Sequence, residues 1–331
     1  MEGIISAWGR ILGGYTPALS IEITRECPLR CPGCYAYGDD HLGGELTLRE
    51  VRDFKGQELI DGLLALVDKH RPLHVSIVGG EPLVRYKELK TILPELSKRG
   101  IHSQLVTSAV REIPAEFRGI HLLSIVVSID GLQPEHDARR TPATYERILR
   151  HISGHQVTVH CTITRQQLQR STYLEEFLQF WQANADTRLI WFSLYTPQMG
   201  ELSAERLTPA DRARVVAELR RLRSRFSKLE MHDGALDVYA NPPASPADCT
   251  FARTTTCLSA DLTRRISPCQ YGGTPDCSNC GCIASASLEA IARHRLLGVI
   301  PVAKIFSTSW QVGEQVARLR RRDESESASA P

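Results

Sequence analysis

Three cysteines lie close together on a short stretch near the start of the chain. Cys27, Cys31 and Cys34 are separated by three and two residues, and they follow directly after an apolar run over residues 18–24. Three thiolates on one loop can bind three irons of a 4Fe–4S cluster, which is normally held by four cysteines. The fourth iron then has no protein ligand and stays open to a small molecule. The alternative is a zinc site that takes its fourth ligand from a distant part of the chain.

A second group of cysteines lies in the last third of the chain. Its six members are Cys249, Cys257, Cys269, Cys277, Cys280 and Cys282. The N-terminal residues show no cleavable signal peptide, so we expect a cytoplasmic protein. Because a reducing compartment disfavours disulfides, clustered cysteines there are expected to bind metal.

Two polar motifs follow apolar strands. Gly79-Gly80-Glu81-Pro82 comes after the β-branched run 74–78, and Ser128-Ile-Asp130-Gly131 ends the apolar run 122–129. The carboxyl ends of parallel strands share one face of a barrel, where active sites form. The motifs are therefore expected to meet the cysteine triplet there. Each can also be read as plain turn chemistry.

The surrounding pattern shows which elements position these motifs. Six predicted strands alternate with helices, which favours an α/β fold with a parallel sheet. We expect this sheet to curve into a partial (β/α)6 TIM-like barrel that is followed by a small cysteine-rich domain. Thr47-Leu-Arg-Glu50 is a capping box that predicts a helix from there to about His70. We predict an N-terminal amphipathic helix over 1–17, a barrel over 18–205, a cysteine-rich domain over 206–322 and a disordered tail over 323–331.

Composition narrows the choice of partners. The chain of 331 residues has 40 Lys and Arg against 38 Asp and Glu, a net charge of +2, which does not indicate a nucleic-acid partner. Its apolar runs are shorter than the roughly 18 residues of a membrane span, so we predict no transmembrane segment. The N-terminal helix is expected either to pack under the barrel or to lie on a membrane surface.

Taken together, the motifs resemble the radical S-adenosylmethionine (SAM) superfamily over about residues 15–200. The resemblance implies that the open iron of the cluster binds the amine and carboxylate of SAM. Reduction of the cluster then cleaves SAM and releases a 5′-deoxyadenosyl radical, while the protein positions the cofactor. The Gly33 position often holds an aromatic residue near the adenine in this family, and Tyr35 or Tyr37 is expected to take that role here.

The same resemblance implies roles for the polar motifs. Gly79 and Gly80 would permit close backbone approach, and Glu81 would accept from the methionine ammonium of SAM. Ser128 and Asp130 would face the ribose hydroxyls or the methionine end. Arg140, or its neighbour Arg139, would reach the SAM carboxylate, with an ordinary surface arginine as the alternative.

The later cysteines resemble the SPASM and twitch extensions of this superfamily, which bind auxiliary 4Fe–4S clusters. The resemblance rests on Ser267-Pro268-Cys269 followed by Cys-x2-Cys, although Arg264 stands where a glycine is usual. We predict one auxiliary cluster, with zinc as the alternative. The expected ligands are Cys257, Cys269, Cys277 and Cys280, with Cys282 and Cys249 as substitutes.

Two further side chains are candidate catalytic residues. Cys161 lies in the middle of the fifth predicted strand, where it is either a buried apolar residue or a hydrogen-atom donor to a substrate radical. Tyr195 ends the sixth strand and has a similar, weaker claim.

The expected function is that of a radical SAM enzyme that abstracts hydrogen from a substrate C–H bond, with an electron donor such as flavodoxin or ferredoxin. The fold does not identify the substrate. Peptide modification by oxidation or cross-linking is the common role in the resembling branch. Residues 1–17 are too few for a fused leader-recognition domain, so a separate protein would supply it. The alternatives are a small-molecule or lipid substrate, favoured by the apolar N-terminal helix and the apolar segment 296–302, and a non-catalytic electron carrier.

Overall fold

A computed structural model describes residues 2–296 and 300–328. Its strands are β1 (Ala18–Glu22), β2 (His74–Val78), β3 (His102–Thr107), β4 (Leu123–Ser128), β5 (Val157–Ile163), β6 (Thr187–Leu194), β7 (Thr255–Leu258), β8 (Arg295–Leu296) and β9 (Ile300–Pro301). Its helices are α1 (Glu2–Leu12), α2 (Gly56–His70), α3 (Tyr86–Lys98), α4 (Glu135–Arg139), α5 (Tyr145–His151), α6 (Tyr173–Ala183), α7 (Pro209–Arg223), α8 (Asp233–Ala240), α9 (Thr250–Thr254), α10 (Ile283–Arg293) and α11 (Val302–Ala328).

The main sheet confirms the predicted parallel architecture. Its strand order is β6-β5-β4-β3-β2-β1-β7, and every neighbouring pair is parallel. Because β1 to β6 follow one another in sequence order, the sheet forms an open partial barrel with its crossover helices on one side. Helix α2 packs one apolar stripe, Leu59, Leu63 and Val67, against it. All carboxyl ends of the strands therefore face the same way.

Strand β7 was not among the predicted strands. It comes from the cysteine-rich segment and pairs in parallel with β1, with Cys257 opposite Ser20. Thr255, Thr256 and Leu258 on this strand are buried, as Cys257 is. The cysteine-rich segment thus extends the barrel sheet itself, so the predicted boundary at residues 205–206 separates elements that share one sheet.

The predicted helix start at Thr47 is wrong. Glu50 accepts hydrogen bonds from the backbone and hydroxyl of Thr47, but its own N–H donates to the Thr47 carbonyl oxygen, so only half of the capping box is present. The chain forms only a turn there, and α2 begins at Gly56. The reason is tertiary, because Asp53 is held by the backbone N–H of Arg25 and by the side chain of Arg85.

The terminal helices lie against each other. Ile11 of α1 is buried with Val302 of α11, and Trp8 donates its indole N–H to the hydroxyl of Ser309. Helix α11 continues through Ala328, so residues 323–328 are helical where a disordered tail was predicted. Residues 329–331 of that tail and residues 297–299 of the apolar segment lie outside the described residues. No helix in the described part of the chain has the length and apolar character needed to cross a membrane.

Candidate functional site

The cysteine triplet lies on the loop after β1, at the carboxyl edge of the sheet. All three cysteines are half-buried free thiols. Cys27 and Cys31 pack on the main hydrophobic core, whereas Cys34 packs on a second hydrophobic cluster. Burial raises the pKa of the Cys27 thiol to about 11 and also raises that of Cys31. Binding to a positively charged metal centre would favour the thiolate form of these sulfurs.

The Gly-Gly-Glu-Pro motif lies directly beside this loop. Gly79 and Gly80 have φ values of +81° and +54°. A Cβ on Gly79 would lie 2.2 Å from Cβ of Glu22, and one on Gly80 would lie 2.4 Å from the carbonyl oxygen of Glu26. Glycine is therefore required at both positions on steric grounds. The N–H of Glu81 donates to that Glu26 carbonyl over 2.8 Å, which ties the motif to the residue before Cys27.

Glu81 is 1% exposed, and its carboxylate is held by its own neighbours. It accepts from the Leu83 N–H at 3.0 Å and from the Ser108 N–H at 2.8 Å. The hydroxyls of Thr107 and Ser108 also donate to it. The Thr107-Ser108 pair after β3 thus fixes the orientation of this carboxylate beside the cysteine loop.

Asp130 follows β4 and is paired with two arginines. Its Oδ2 accepts from Nε of Arg139 at 3.0 Å and from Nε of Arg140 at 2.6 Å. These guanidinium groups hold the pKa of the Asp130 carboxyl well below its usual range against the opposing effect of burial. Burial raises the pKa of Cys31 overall, and the charges of Arg140 and Arg139 partly oppose that rise, so two cations lie beside the triplet. Cationic neighbours favour the thiolate form that a cluster requires.

The remaining predicted site residues lie around the same barrel. Ser128 ends β4 and is half-buried. Tyr35 packs edge-on against Tyr271, with ring centroids 5.0 Å apart. Cys161 is 1% exposed within β5, where burial raises its pKa and the side-chain amide of Gln167 lies 3.6 Å from its sulfur.

Tyr195 lies closer to the cysteine loop. Its hydroxyl would be 3.3 Å from a Cβ built on Gly33, and it donates to a carboxylate oxygen of Glu201. Burial and the contact with Glu201 raise its pKa to about 12. Glu205 in the same loop pairs with Arg139, and its Oε2 is buried without a hydrogen-bond partner among the described residues. Sequence reasoning did not single out either glutamate, because they lie in a loop with no motif of its own.

The later cysteines surround one apolar pocket. Its lining includes Cys249, Cys269, Cys277, Cys280 and Cys282, together with Phe251 and Tyr271. Cys257 is buried in β7 and is not one of the residues that line this pocket, whereas Cys249 is. Three of the four expected ligands, Cys269, Cys277 and Cys280, are thus brought together with both substitutes, Cys282 and Cys249. A dry thiol-lined pocket suits a 4Fe–4S cluster.

Arg212 supports the cysteine turn from behind. This residue of α7 is 8% exposed and donates to the carbonyl oxygens of Tyr239, Asn279 and Cys280. Gly281 is pressed against β6, because a Cβ there would lie 2.1 Å from the Leu194 carbonyl oxygen. Close approach to β6 therefore explains the glycine at this position. No group of three or more His, Cys, Asp or Glu side chains within the described ranges could hold a single metal ion.

The fold and the triplet define an α/β-barrel protein with a thiol-lined site at its strand ends. A family model described as the radical SAM superfamily matches residues 21–162. Over this stretch, which is less than half of the chain, the sequence is similar to the radical SAM superfamily, and SAM and a 4Fe–4S cluster are therefore the cofactors to compare with the residues present. The donor set fits, because the triplet leaves one iron of such a cluster without a protein ligand.

Several curated proteins and solved structures are similar to this chain. A PqqA peptide cyclase of Bradyrhizobium diazoefficiens is 32% identical over 124 residues, which are 36% of this chain and 30% of the relative. An Fe-coproporphyrin III synthase of Methanosarcina barkeri is 29% identical over 128 residues, 38% of this chain and 30% of the relative. The fold is similar to that of Streptococcus suis SuiB bound to its precursor peptide SuiA, with a TM-score of 0.56, 16% identity, and coverage of 78% of this chain and 61% of SuiB.

Proposed function

We propose that this protein cleaves SAM reductively at a 4Fe–4S cluster held by Cys27, Cys31 and Cys34. The supporting observation is that the triplet, the Gly-Gly-Glu-Pro motif and Asp130 follow β1, β2 and β4 at one edge of the sheet. When bound, the cluster and SAM supply a 5′-deoxyadenosyl radical that removes hydrogen from a substrate C–H bond. The protein's residues orient SAM, with Glu81 toward its ammonium, Asp130 and Ser128 toward the ribose, and Arg140 toward its carboxylate.

The proposed substrate is a peptide, which is oxidised or cross-linked. Relatives named PqqA peptide cyclase and the SuiB–SuiA complex support this class. The second candidate is a small molecule, supported by the relative named Fe-coproporphyrin III synthase at comparable identity. A flavodoxin or ferredoxin is the proposed electron donor. Tyr195 is the stronger candidate for contact with substrate, because its hydroxyl lies beside Gly33, whereas Cys161 is enclosed within β5.

The test is anaerobic reconstitution with iron and sulfide, followed by dithionite and SAM. Formation of 5′-deoxyadenosine is expected from the wild-type chain and not from the Cys27→Ala/Cys31→Ala/Cys34→Ala variant. A wild-type preparation that binds iron and yields no 5′-deoxyadenosine would favour a non-catalytic electron carrier instead. Adding candidate peptides or porphyrins should raise the yield only with the correct substrate class.

We further propose an auxiliary 4Fe–4S cluster in the pocket of the later cysteines. Its ligands are drawn from Cys249, Cys269, Cys277, Cys280 and Cys282. The preferred set is Cys249, Cys269, Cys277 and Cys280, in which Cys249 takes the place expected for Cys257. Wild-type protein should then hold about eight irons per chain and the triplet variant about four. Replacing Cys249 with Ala in the triplet variant should remove that iron, while Cys257→Ala should leave most of it. If Cys257→Ala removes the iron and Cys249→Ala does not, Cys257 is the ligand. Stoichiometric zinc in place of iron would reject the auxiliary cluster.

A further inference from the structure

Two buried ionisable side chains connect β1 with the loop that follows the cysteine triplet. Glu22 is the last residue of β1 and is 1% exposed, and His41 is 2% exposed. Their side chains are in contact, with 2.8 Å between Nε2 of His41 and Oε1 of Glu22. The proposed cleavage of SAM does not use this pair, so its burial calls for another explanation.

Both members of the pair also bind the cysteine-rich segment. The hydroxyl of Ser259 donates to Oε2 of Glu22 over 3.1 Å. Nδ1 of His41 lies 3.0 Å from the carbonyl oxygen of Tyr271. Ser259 is two residues beyond Cys257, and Tyr271 is two residues beyond Cys269. The pair therefore joins the start of the SAM-cluster loop to two separate points of the auxiliary segment, one just after β7 and one in the turn after Cys269.

The contacts of His41 define its protonation state. A neutral imidazole carries only one N–H, yet both ring nitrogens of His41 face oxygen acceptors. The Tyr271 carbonyl oxygen can only accept, so Nδ1 carries a proton, and with the second proton on Nε2 the pair is an imidazolium and a carboxylate. Burial lowers the pKa of His41, but the hydrogen bond and charge of Glu22 and the contact with the Tyr271 carbonyl together outweigh burial, so the pKa is raised overall.

The two segments also touch through their backbones. Gly272 has a φ of +64°, and a Cβ there would lie 2.0 Å from the carbonyl oxygen of His41. The edge-on contact of Tyr35 with Tyr271 lies next to this point, and Tyr35 follows Cys34 directly. A shift of either segment would therefore be felt by cysteines of both groups.

We propose that Glu22 and His41 form a positioning ion pair that holds the auxiliary cysteines in register with the SAM-cluster loop. This role rests on the auxiliary cluster proposed above. Removing one partner of a buried pair leaves an uncompensated charge, whereas removing both charges does not. Each single neutral variant should therefore displace the segment that carries Cys257 and Cys269, and the double neutral variant should restore it.

The experiment uses the full chain with the Cys27→Ala/Cys31→Ala/Cys34→Ala background, so that only auxiliary iron is measured. His41→Gln and Glu22→Gln should each reduce reconstituted iron from about four per chain to less than half of that value. Glu22→Gln/His41→Gln should recover most of the iron and its electron paramagnetic resonance signal. The matched control is His155→Gln, because His155 is 3% exposed and the described hydrogen bond of its imidazole joins Nε2 to the Ile113 carbonyl oxygen at 3.1 Å.

Far-ultraviolet circular dichroism and the urea midpoint of each variant separate lost positioning from a failure to fold. Full iron content in both single variants would overturn the positioning role of the ion pair and leave the auxiliary cluster standing. A double variant with as little iron as the two single variants would have the same consequence. An iron-free background protein would instead overturn the auxiliary cluster and the positioning role together. The two failures are therefore distinguishable.

Discussion

Arg85 is the residue whose replacement tests the support of the cysteine loop most directly. It ends the short helical turn after Gly-Gly-Glu-Pro, and its side chain is 6% exposed. Its guanidinium pairs with Asp53, whose side chain is 4% exposed, and with Glu26 at 3.0 Å. Glu26 directly precedes Cys27, and its pairing with Arg85 and Lys55 lowers its pKa to about 2.

Replacing Arg85 with Met leaves Asp53 as a buried and uncompensated carboxylate. Breaking a buried pair in this way costs about 3–5 kcal/mol. Asp53 keeps weaker hydrogen bonds from the Arg25 N–H at 3.2 Å and the Thr24 hydroxyl at 3.4 Å. We therefore expect the lower end of the range, about 3 kcal/mol. The same variant should also lose iron from the triplet, because Glu26 holds the start of that loop.

The assay is urea unfolding of the iron-free protein followed by circular dichroism. The matched control is Arg52→Met, because Arg52 pairs with Glu58 while the two side chains are 66% and 55% exposed. An exposed pair contributes only about 0–1 kcal/mol. Arg85→Met/Asp53→Asn should be more stable than Arg85→Met, since both charges are then gone. Equal losses for Arg85→Met and Arg52→Met would refute the reasoning.

Three further predictions follow from the site. His136 is fully buried and its pKa is lowered to about 4, mainly by burial, so the unfolded state gains a proton first as the pH falls. The free energy of unfolding should therefore drop by about 3 kcal/mol between pH 6.5 and 4 because of this histidine. His136→Gln should make the dependence of the unfolding free energy on pH shallower. Glu81→Gln places amide hydrogens opposite the donors that surround this side chain, which should lower the free energy of unfolding by about 1–3 kcal/mol. It should also weaken SAM binding in equilibrium dialysis. Glu95→Gln, on the solvent side of α3, should do neither. Gly80→Ala should prevent iron binding by the triplet, because its Cβ would lie 2.4 Å from the Glu26 carbonyl oxygen; a normal iron content would contradict that steric reason.

The fold was largely predictable because its signals are local. Buried runs such as β4 and amphipathic stretches such as α2 have periods that indicate parallel strands and covering helices. The motifs could be placed at one edge because parallel strands all end there. Strand β7 could not be predicted, because its four residues gain their strand conformation only by pairing with β1. The helix start at Thr47 failed for a related reason, since Asp53 is held by distant Arg85.

The sequence by itself determined the chemistry available to this protein: thiols in two groups, a glycine pair that admits close contact, and acids and arginines at strand ends. Those are properties of residue types and short spacings. The tertiary structure alone decided which groups meet. It placed Cys249 in the auxiliary pocket, Arg212 behind Cys280, and Glu22 against His41, which lies 19 residues further along the chain. Such pairings depend on how β7 and the later loops pack against β1, and no local sequence pattern predicts that packing.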